Sequence, residues 1–217
     1  GSGPRTLFSS EEFRFYLLVL GSFGAVVAAL LVLDPGTAYR PEATVRHALF
    51  QVVSIVTTTG YATVDFDLWS PAAKHVLFVG MFLGGMAGST TCSIKLVRWL
   101  VVLKAFRRDL FTAVHPEAIR PVRLSGQVVD EGTVRDVYAY TLITLLVFFA
   151  ATVFVVADAA RVGIEINEFE AMGAAASTFL NIGPAFGVAG PFGSYAAFPT
   201  TTRVVMTLLM WIGRIEI

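Results

Sequence analysis

The chain has 217 residues, of which 55% are hydrophobic and only 15% are charged, whereas a soluble domain carries about 25% charged residues. This composition indicates a membrane protein. The formal net charge of zero provides no strongly basic surface for nucleic acid, and the single cysteine, Cys92, excludes an intramolecular disulfide.

The chain begins with a lead and a spanning helix. Residues 1–10 start with Gly-Ser-Gly, as a vector-derived linker does, and lack the basic-then-apolar pattern of a signal peptide. Residues 15–33 contain no charged side chain and are followed by Asp-Pro-Gly, which ends a helix. Because about 20 apolar residues cross a bilayer, residues 15–33 are predicted to span the membrane, and residues 138–157 meet the same criterion.

A shorter apolar segment follows each of these spans. Residues 43–56 and 168–182 have helical character but are too short to cross a bilayer at about 1.5 Å per residue. Such lengths are typical of re-entrant helices or of core helices. Each segment leads into a glycine-bearing loop, TTTGYAT or NIGPAFG, and the loop glycines Gly60 and Gly183 are 123 positions apart.

Two imperfect spans complete the pattern. Residues 76–103 are interrupted by GGMAGSTTCS, and residues 204–217 are apolar only until Gly213 and Arg214. The order of span, short helix, loop and imperfect span therefore occurs twice, within residues 11–103 and 134–217, joined by a connector at residues 104–133. The predicted fold is an all-α membrane protein of two consecutive repeats, each a span, a re-entrant pore helix, a filter loop and a second span.

The two loops are the first candidate site. Non-helical backbone survives at membrane depth only where it is buried in protein or lines a water-filled cavity. Backbone carbonyls that line a pore replace the hydration shell of a cation, so no carboxylate is needed. The candidate ion-binding residues are Thr57, Thr58, Thr59, Gly60, Tyr61, Asn181, Ile182, Gly183 and Pro184. For either loop alone, an ordinary turn after a helix is the alternative.

The interrupted span is the second candidate site. A glycine-rich, hydroxyl-rich helix is unfavourable against lipid, so this backbone must find water or partners. A phosphate-binding loop is excluded because no lysine precedes Ser89, and Cys92 has no histidine nearby in sequence to act as its base. Small residues for close helix packing remain the alternative. The guanidinium of Arg214 either faces a cavity or a polar partner within the membrane, or it reaches the membrane–water interface where its helix ends.

Charge predicts the orientation. Lysine and arginine collect in and beside the connector, which places residues 104–133 and the N-terminus in the cytoplasm and the filter loops outside. The connector is expected to rest on anionic lipid or to contact a partner. The outward stretches carry acids that form either solvated loop surface or a vestibule that concentrates cations. These acids are Asp34, Glu42, Asp65, Asp67, Asp158, Glu165, Glu168 and Glu170.

The motifs TTTGYAT, GGMAGSTTCSIKLVRW, NIGPAFG and MWIGRIEI together resemble the Trk/Ktr/HKT superfamily of potassium transporters, nearest its Trk-type (TrkH) subunits. The resemblance covers nearly the whole chain from Phe15. Members of the superfamily arrange four such repeats around one pore, and this chain is similar to the third and fourth. The resemblance implies half of a four-repeat pore, with the first two repeats absent or on another chain.

The resemblance also implies roles and partners. It implies an intramembrane gating loop below the filter and a basic residue near the pore in the last helix. The implied gate residues are Gly84, Gly85, Gly88, Ser89, Thr90, Thr91 and Arg214. The implied assembly is a homodimer in the inner membrane with a cytosolic nucleotide-binding ring, TrkA-like or KtrA-like. Nucleotide is expected only on that ring, and K⁺ is the transported ion, with no covalent cofactor and no other metal.

The predicted function is potassium conduction by a subunit of a Trk-type uptake system. A secondary transporter of small solutes is one alternative, although such transporters commonly break full spans. A membrane-embedded enzyme would need clustered acids, histidines or an activated serine, and the membrane-depth residues contain no such cluster. A sodium-permeable member of the same superfamily is the last alternative, because two filter strands suffice neither to surround an ion nor to determine its identity.

Overall fold

The computed structural model describes residues 8–34, 36, 39–117 and 120–215. Residues 1–7 of the predicted lead and residues 216–217 of the predicted last span lie outside the described residues. Seven helices of eleven or more residues and one small hairpin are described. They are α1 (Glu11–Leu33), α2 (Pro41–Val56), α3 (Pro71–Met81), α4 (Leu96–Val114), β1 (Arg123–Leu124), β2 (Gln127–Val128), α5 (Glu131–Val162), α6 (Glu168–Phe179) and α7 (Thr200–Ile215). The predicted all-α architecture is confirmed.

Helices α1 and α5 are the two, among the described residues, that are long and apolar enough to cross a membrane. Ser10 caps the first, where its hydroxyl accepts from a backbone N–H, and Gly163 ends the second in the left-handed region, at φ +75°. Only 22% of the residues in the most apolar part of α1 are buried, and only 33% of those in the corresponding part of α5. The core helix of a soluble protein is mostly buried, whereas a helix that faces lipid leaves this much apolar surface exposed.

The helices pack in two groups, and each group consists of one long helix and two shorter helices. α1 contacts α2 and α3, while α5 contacts α6 and α7, and α3 touches α6. One apolar cluster joins the groups, with members such as Ile55 of α2, Met81 of α3, Phe148 of α5 and Phe179 of α6. The two short helices therefore lie inside the bundle, with their C-terminal ends leading into the candidate filter loops.

Two of the helix ends that differ from the predictions change the bounds of a candidate loop and of the connector. α6 ends at Phe179, so the last three residues of the predicted helix at 168–182 form the loop instead. α4 continues to Val114, and the boundary predicted between Leu103 and Lys104 falls inside it. Hydropathy ends a membrane run at charged residues, but lysine and arginine are good helix formers and prolong the helix into the polar region.

The connector contains a two-stranded hairpin. Arg123 pairs with Val128 and Leu124 with Gln127. Ser125 and Gly126 form the turn with φ of +49° and +84°, as a two-residue hairpin turn of the mirror-image type requires. Glu11, at the start of α1, accepts a hydrogen bond from the Ser125 backbone N–H, which fixes the hairpin against the first spanning helix.

Candidate functional site

The two candidate filter loops leave their helices by the same backbone route. Thr58 and Asn181, each two residues beyond the end of its helix, lie in the left-handed region with φ of +52° and +55°. Gly60 and Gly183 follow at the next equivalent place, with φ of +76° and +112°. Non-glycine residues seldom adopt positive φ. Both pairs are 123 positions apart, so the loops are equivalent in conformation as well as in order.

A buried serine organises the turn in both loops. The backbone N–H of Thr59 donates to the carbonyl of Ser54 at 2.9 Å, and that of Ile182 donates to the carbonyl of Ser177 at the same distance. Each serine lies six positions before its loop glycine. Ser54 and Ser177 were not among the predicted site residues, although their identical spacing to Gly60 and Gly183 could have identified them.

The serine hydroxyls hold different loop atoms. Ser54 donates its hydroxyl to the carbonyl of Tyr61 at 2.6 Å, whereas the Ser177 hydroxyl oxygen accepts from the backbone N–H of Gly183 at 3.1 Å. The hydroxyl of Thr57 donates to a carbonyl in the last turn of α2 at 2.7 Å. The Tyr61 carbonyl and the Thr57 hydroxyl are therefore both engaged with α2.

The two loops lie against each other. A Cβ atom added to Gly60 would lie 2.2 Å from the carbonyl oxygen of Ile182 and 3.1 Å from Cδ of Pro184. A cavity of about 550 Å³ lies beside this contact, and part of α7 also lines it. The loop residues that line the cavity are Thr58, Thr59, Asn181, Ile182 and Gly183. Of the nine predicted filter residues, five border this cavity and Gly60 and Pro184 form the contact.

Tyr195 fixes the second loop through a hydrogen bond to its backbone. Its hydroxyl donates to the carbonyl of Gly183 at 2.8 Å, and its ring stacks on Phe198 with centroids 5.9 Å apart. Burial raises the pKa of the Tyr195 hydroxyl to about 12. At neutral pH the group is a hydrogen-bond donor, as a tyrosine of ordinary pKa also is. The sequence analysis did not find this residue, because only the folded chain brings it back to the loop.

The predicted gating loop joins α3 to α4, and its base is tightly packed. The backbone N–H of Gly84 donates to the carbonyl of Ile94 at 2.8 Å, and that of Leu96 donates to the carbonyl of Gly85 at 3.1 Å. A Cβ atom at Gly84 would lie 2.8 Å from the carbonyl oxygen of Ser93. Gly84 and Gly85 are buried and permit this close packing of the loop base.

The tip of the same loop is open. Gly88 has φ of +84°, and no atom lies within 4 Å of the position a Cβ would take. Ser89 donates its backbone N–H to the carbonyl of Met86 at 3.0 Å, which closes a tight turn at the tip. The Thr91 hydroxyl accepts from the backbone N–H of Gly85 at 2.9 Å and ties the tip to the base. Within this loop, Gly88 alone of the three predicted glycines has room for a side chain.

Arg214, in the last turn of α7, contacts the loop. Its Nη1 donates to the carbonyl of Thr90 at 3.0 Å and to Sγ of Cys92 at 3.3 Å. The sequence left open whether this guanidinium faces a partner or merely ends its helix at the interface. The structure places it on the loop between α3 and α4, the predicted gating loop, with a sequence separation of 124 residues from Thr90.

α7 also touches the filter region. The side-chain amide of Asn181 donates to the carbonyl of Met210 at 3.0 Å. One turn later, a Cβ atom at Gly213 would lie 1.7 Å from the carbonyl oxygen of Phe179. Gly213 is therefore required for the close approach of α7 to the end of α6, a role that sequence analysis missed. One helix thus contacts the second filter loop through Met210 and the gating loop through Arg214.

The expected acidic vestibule is only partly available. Asp158 is buried and accepts from Arg161 and from the hydroxyls of Thr201 and Thr202, so it joins α5 to the start of α7. Asp67 lies 3.5 Å from the ammonium of Lys74. Asp158 does not face water, and its assignment to an outer cation-attracting surface is wrong. Hydropathy placed it just past a span, where a loop acid is the ordinary expectation.

Within the described part of the chain, no group of three or more histidine, cysteine, aspartate or glutamate side chains is close enough to hold a metal ion. Both loops carry backbone carbonyls, and the first loop also carries threonine hydroxyls. Oxygen atoms of this kind are the ligands that potassium filters use.

Comparisons with known proteins agree with this architecture. The family described as "TrkH: Cation transport protein" matches residues 6–217. The Trk system potassium uptake protein TrkH of Halomonas elongata is 31% identical over 210 residues, which are 97% of this chain and 42% of that protein. The TrkH protein of Escherichia coli K12 is 28% identical over 218 residues, which are 100% of this chain and 43% of that protein.

A solved structure has the same fold. The crystal structure of the potassium transporter TrkH from Vibrio parahaemolyticus superposes with a TM-score of 0.84 at 29% sequence identity. The match covers 98% of this chain and 44% of that one. This chain therefore spans less than half the length of the relatives that it matches.

Proposed function

Because the chain belongs to the TrkH family of cation transport proteins, we propose that it forms the ion-conducting C-terminal half of a Trk-type potassium uptake subunit. The relatives it resembles are named for potassium uptake, and none of those named is an enzyme. Two filter strands cannot enclose an ion, so the first two repeats are expected from the rest of a longer protein. The proportion of each relative that is matched fits this expectation.

The observation that carries the proposal is the contact between two equivalent glycine loops. They share a left-handed residue, a glycine with positive φ and a serine-anchored turn, and they meet at Gly60 and Ile182 beside one cavity. A pair of unrelated turns has no reason to share these features. Carbonyl groups held in two such strands supply part of a ring of oxygen ligands, which is how a filter replaces water around potassium.

The loop between α3 and α4 is proposed as the gate. Its base is fixed by backbone hydrogen bonds, its tip is open at Gly88, and the Arg214 guanidinium holds Thr90 and Cys92. Hydrogen bonds from a charged guanidinium are stronger than those between neutral groups, so these contacts favour the closed loop. A regulatory partner that draws the loop or Arg214 away would release it.

The proposed setting is the inner membrane. The N-terminus and the connector that begins in α4 are placed in the cytoplasm, and the filter loops face outward. A homodimer and a cytosolic nucleotide-binding ring, TrkA-like or KtrA-like, complete the proposal, with nucleotide bound only by the ring. The connector presents cationic side chains to that side of the membrane.

Rubidium uptake tests the function. Potassium-starved cells that produce the full-length protein are expected to accumulate rubidium, and external potassium should compete with it far better than external sodium. Cells without the protein give the background. Equal competition by sodium would indicate a sodium-permeable member of the family, and uptake no greater than background would contradict ion conduction by this protein.

A further inference from the structure

A basic pocket lies between the second half of α4 and the segment that leads into the hairpin. Its volume is about 550 Å³. Three apolar side chains and a proline complete its wall. The cationic residues that line it are Lys104, Arg107, Arg108, Arg120 and Arg123.

Two ion pairs place this pocket at the membrane boundary. Lys104 pairs with Glu11, and Arg108 pairs with Glu131. Glu11 and Glu131 are the first residues of α1 and α5, the two helices that are long and apolar enough to span a bilayer. The charged end of a spanning helix lies where hydrocarbon gives way to water. The pocket therefore lies at the level of the phospholipid headgroups.

Three of the arginines that line the pocket form no ion pair among the described residues and can bind a ligand. Within the described residues, no carboxylate oxygen lies within 4 Å of the side chains of Arg107, Arg120 or Arg123, and all three residues are exposed. The Arg120 guanidinium lies 5.0 Å from the ring centroid of Phe111, which orients it at the pocket. Arginine matches the geometry of phosphate oxygens with paired N–H donors.

An exposed apolar stripe starts from the same pocket. Leu103, Phe106, Leu110 and Val114 are 47%, 56%, 55% and 74% exposed, and their spacing places them on one face of α4. Leu110 also lines the pocket. Leu103 and Phe106 lie on the membrane side of Arg107, so the acyl chains of a lipid bound in the pocket would reach hydrocarbon along these two side chains. A soluble phosphate would use only the arginines, whereas a phospholipid would use both features.

We propose that this pocket binds the headgroup of an anionic phospholipid, with the acyl chains lying along Phe106 and Leu103, toward the membrane-spanning part of the protein. The three arginines supply the specificity for negative charge, and the exposed stripe supplies apolar contact. The site is separate from the filter and gate loops, so its existence does not depend on the proposed ion selectivity.

The test is lipid binding to the purified full-length protein, measured by native mass spectrometry after delipidation. Phosphatidylglycerol is expected to bind at least about tenfold more tightly than phosphatidylcholine with the same acyl chains. The double substitution Arg107→Gln and Arg123→Gln is expected to remove this preference. The charge-matched control is Arg40→Gln with Arg46→Gln, on the exposed start of α2, which should leave the preference unchanged.

Four results would overturn the proposal. Equal binding of the two lipids would exclude headgroup recognition, as would phosphatidylglycerol binding that survives the Arg107 and Arg123 substitutions. Displacement of phosphatidylglycerol by inorganic phosphate alone would assign the pocket to a soluble phosphate compound. If the variant with Arg107→Gln and Arg123→Gln no longer bound the cytosolic ring but still bound phosphatidylglycerol, the pocket would be assigned to a protein partner. Rubidium uptake in the same variants distinguishes a failed lipid site from a failed transporter.

Discussion

Replacing Gly60 with alanine is expected to lower the selectivity for rubidium over sodium by at least about tenfold. The added Cβ would lie 2.2 Å from the carbonyl oxygen of Ile182, a backbone atom that must move to admit it. The φ of +76° adds about 1–2 kcal/mol for a residue with a side chain. Because carbonyl positions define a filter, displacing Ile182 changes the distances that distinguish one cation from another.

The matched control is Gly163→Ala. Gly163 has nearly the same φ, +75°, but no atom lies within 4 Å of its added Cβ, and it lies at the end of α5. It imposes the same kind of backbone strain without the collision at the filter. The ratio of rubidium to sodium uptake by the full-length protein measures both variants. A ratio unchanged in Gly60→Ala, at normal expression, would remove this loop from the filter.

Replacing Arg214 with alanine or glutamine is expected to raise flux by about tenfold or more in the absence of the regulatory ring. The substitution removes the donor to Thr90 and Cys92, and the loss of these charge-assisted hydrogen bonds shifts the closed–open equilibrium toward the open loop. Lysine should behave like alanine, because its ammonium lies one bond closer to the backbone than Nη1 of arginine and falls short of Thr90 and Cys92.

The lysine variant also distinguishes hydrogen bonds that hold the loop closed from simple electrostatic repulsion of cations. If Arg214 acted only by repelling cations in the pore, lysine would preserve wild-type flux because it keeps the charge. Cys92→Ala removes one of the two acceptors and should increase flux by less than Arg214→Ala does. Rubidium flux through purified protein in vesicles, without the ring, measures all four variants. Wild-type flux in each of them would mean that Arg214 merely ends its helix.

The sequence predicted the order of elements because burial in lipid leaves a strong local signal. Residues 15–33 and 138–157 are uniformly apolar, and the structure extends each into a longer helix with polar ends, at Glu11 and Glu131. The loop glycines were predicted by composition alone, since glycine and threonine at the end of an apolar helix are conspicuous. The charged continuation of α4 was missed because hydropathy measures the membrane boundary, whereas helix formation depends on propensity.

The contacts that position the site arise from residues distant in the chain and could not be predicted in this way. Tyr195 reaches Gly183, and Gly213 admits the carbonyl of Phe179, only after α6 and α7 have packed. Likewise, Gly84 and Gly88 are identical residues, yet one is enclosed by backbone and the other faces open space. Local composition cannot distinguish these surroundings, because they are set by neighbours from other helices.

We propose that the loops after α2 and α6 bind the transported ion together. X-ray diffraction from the full-length protein crystallised in rubidium, at the rubidium absorption edge, locates that ion directly. We expect an anomalous peak between the two loops, beside Thr58–Gly60 and Asn181–Gly183. Rubidium transport by the same preparation, with no peak between these loops and a peak elsewhere, would contradict joint binding by the two loops.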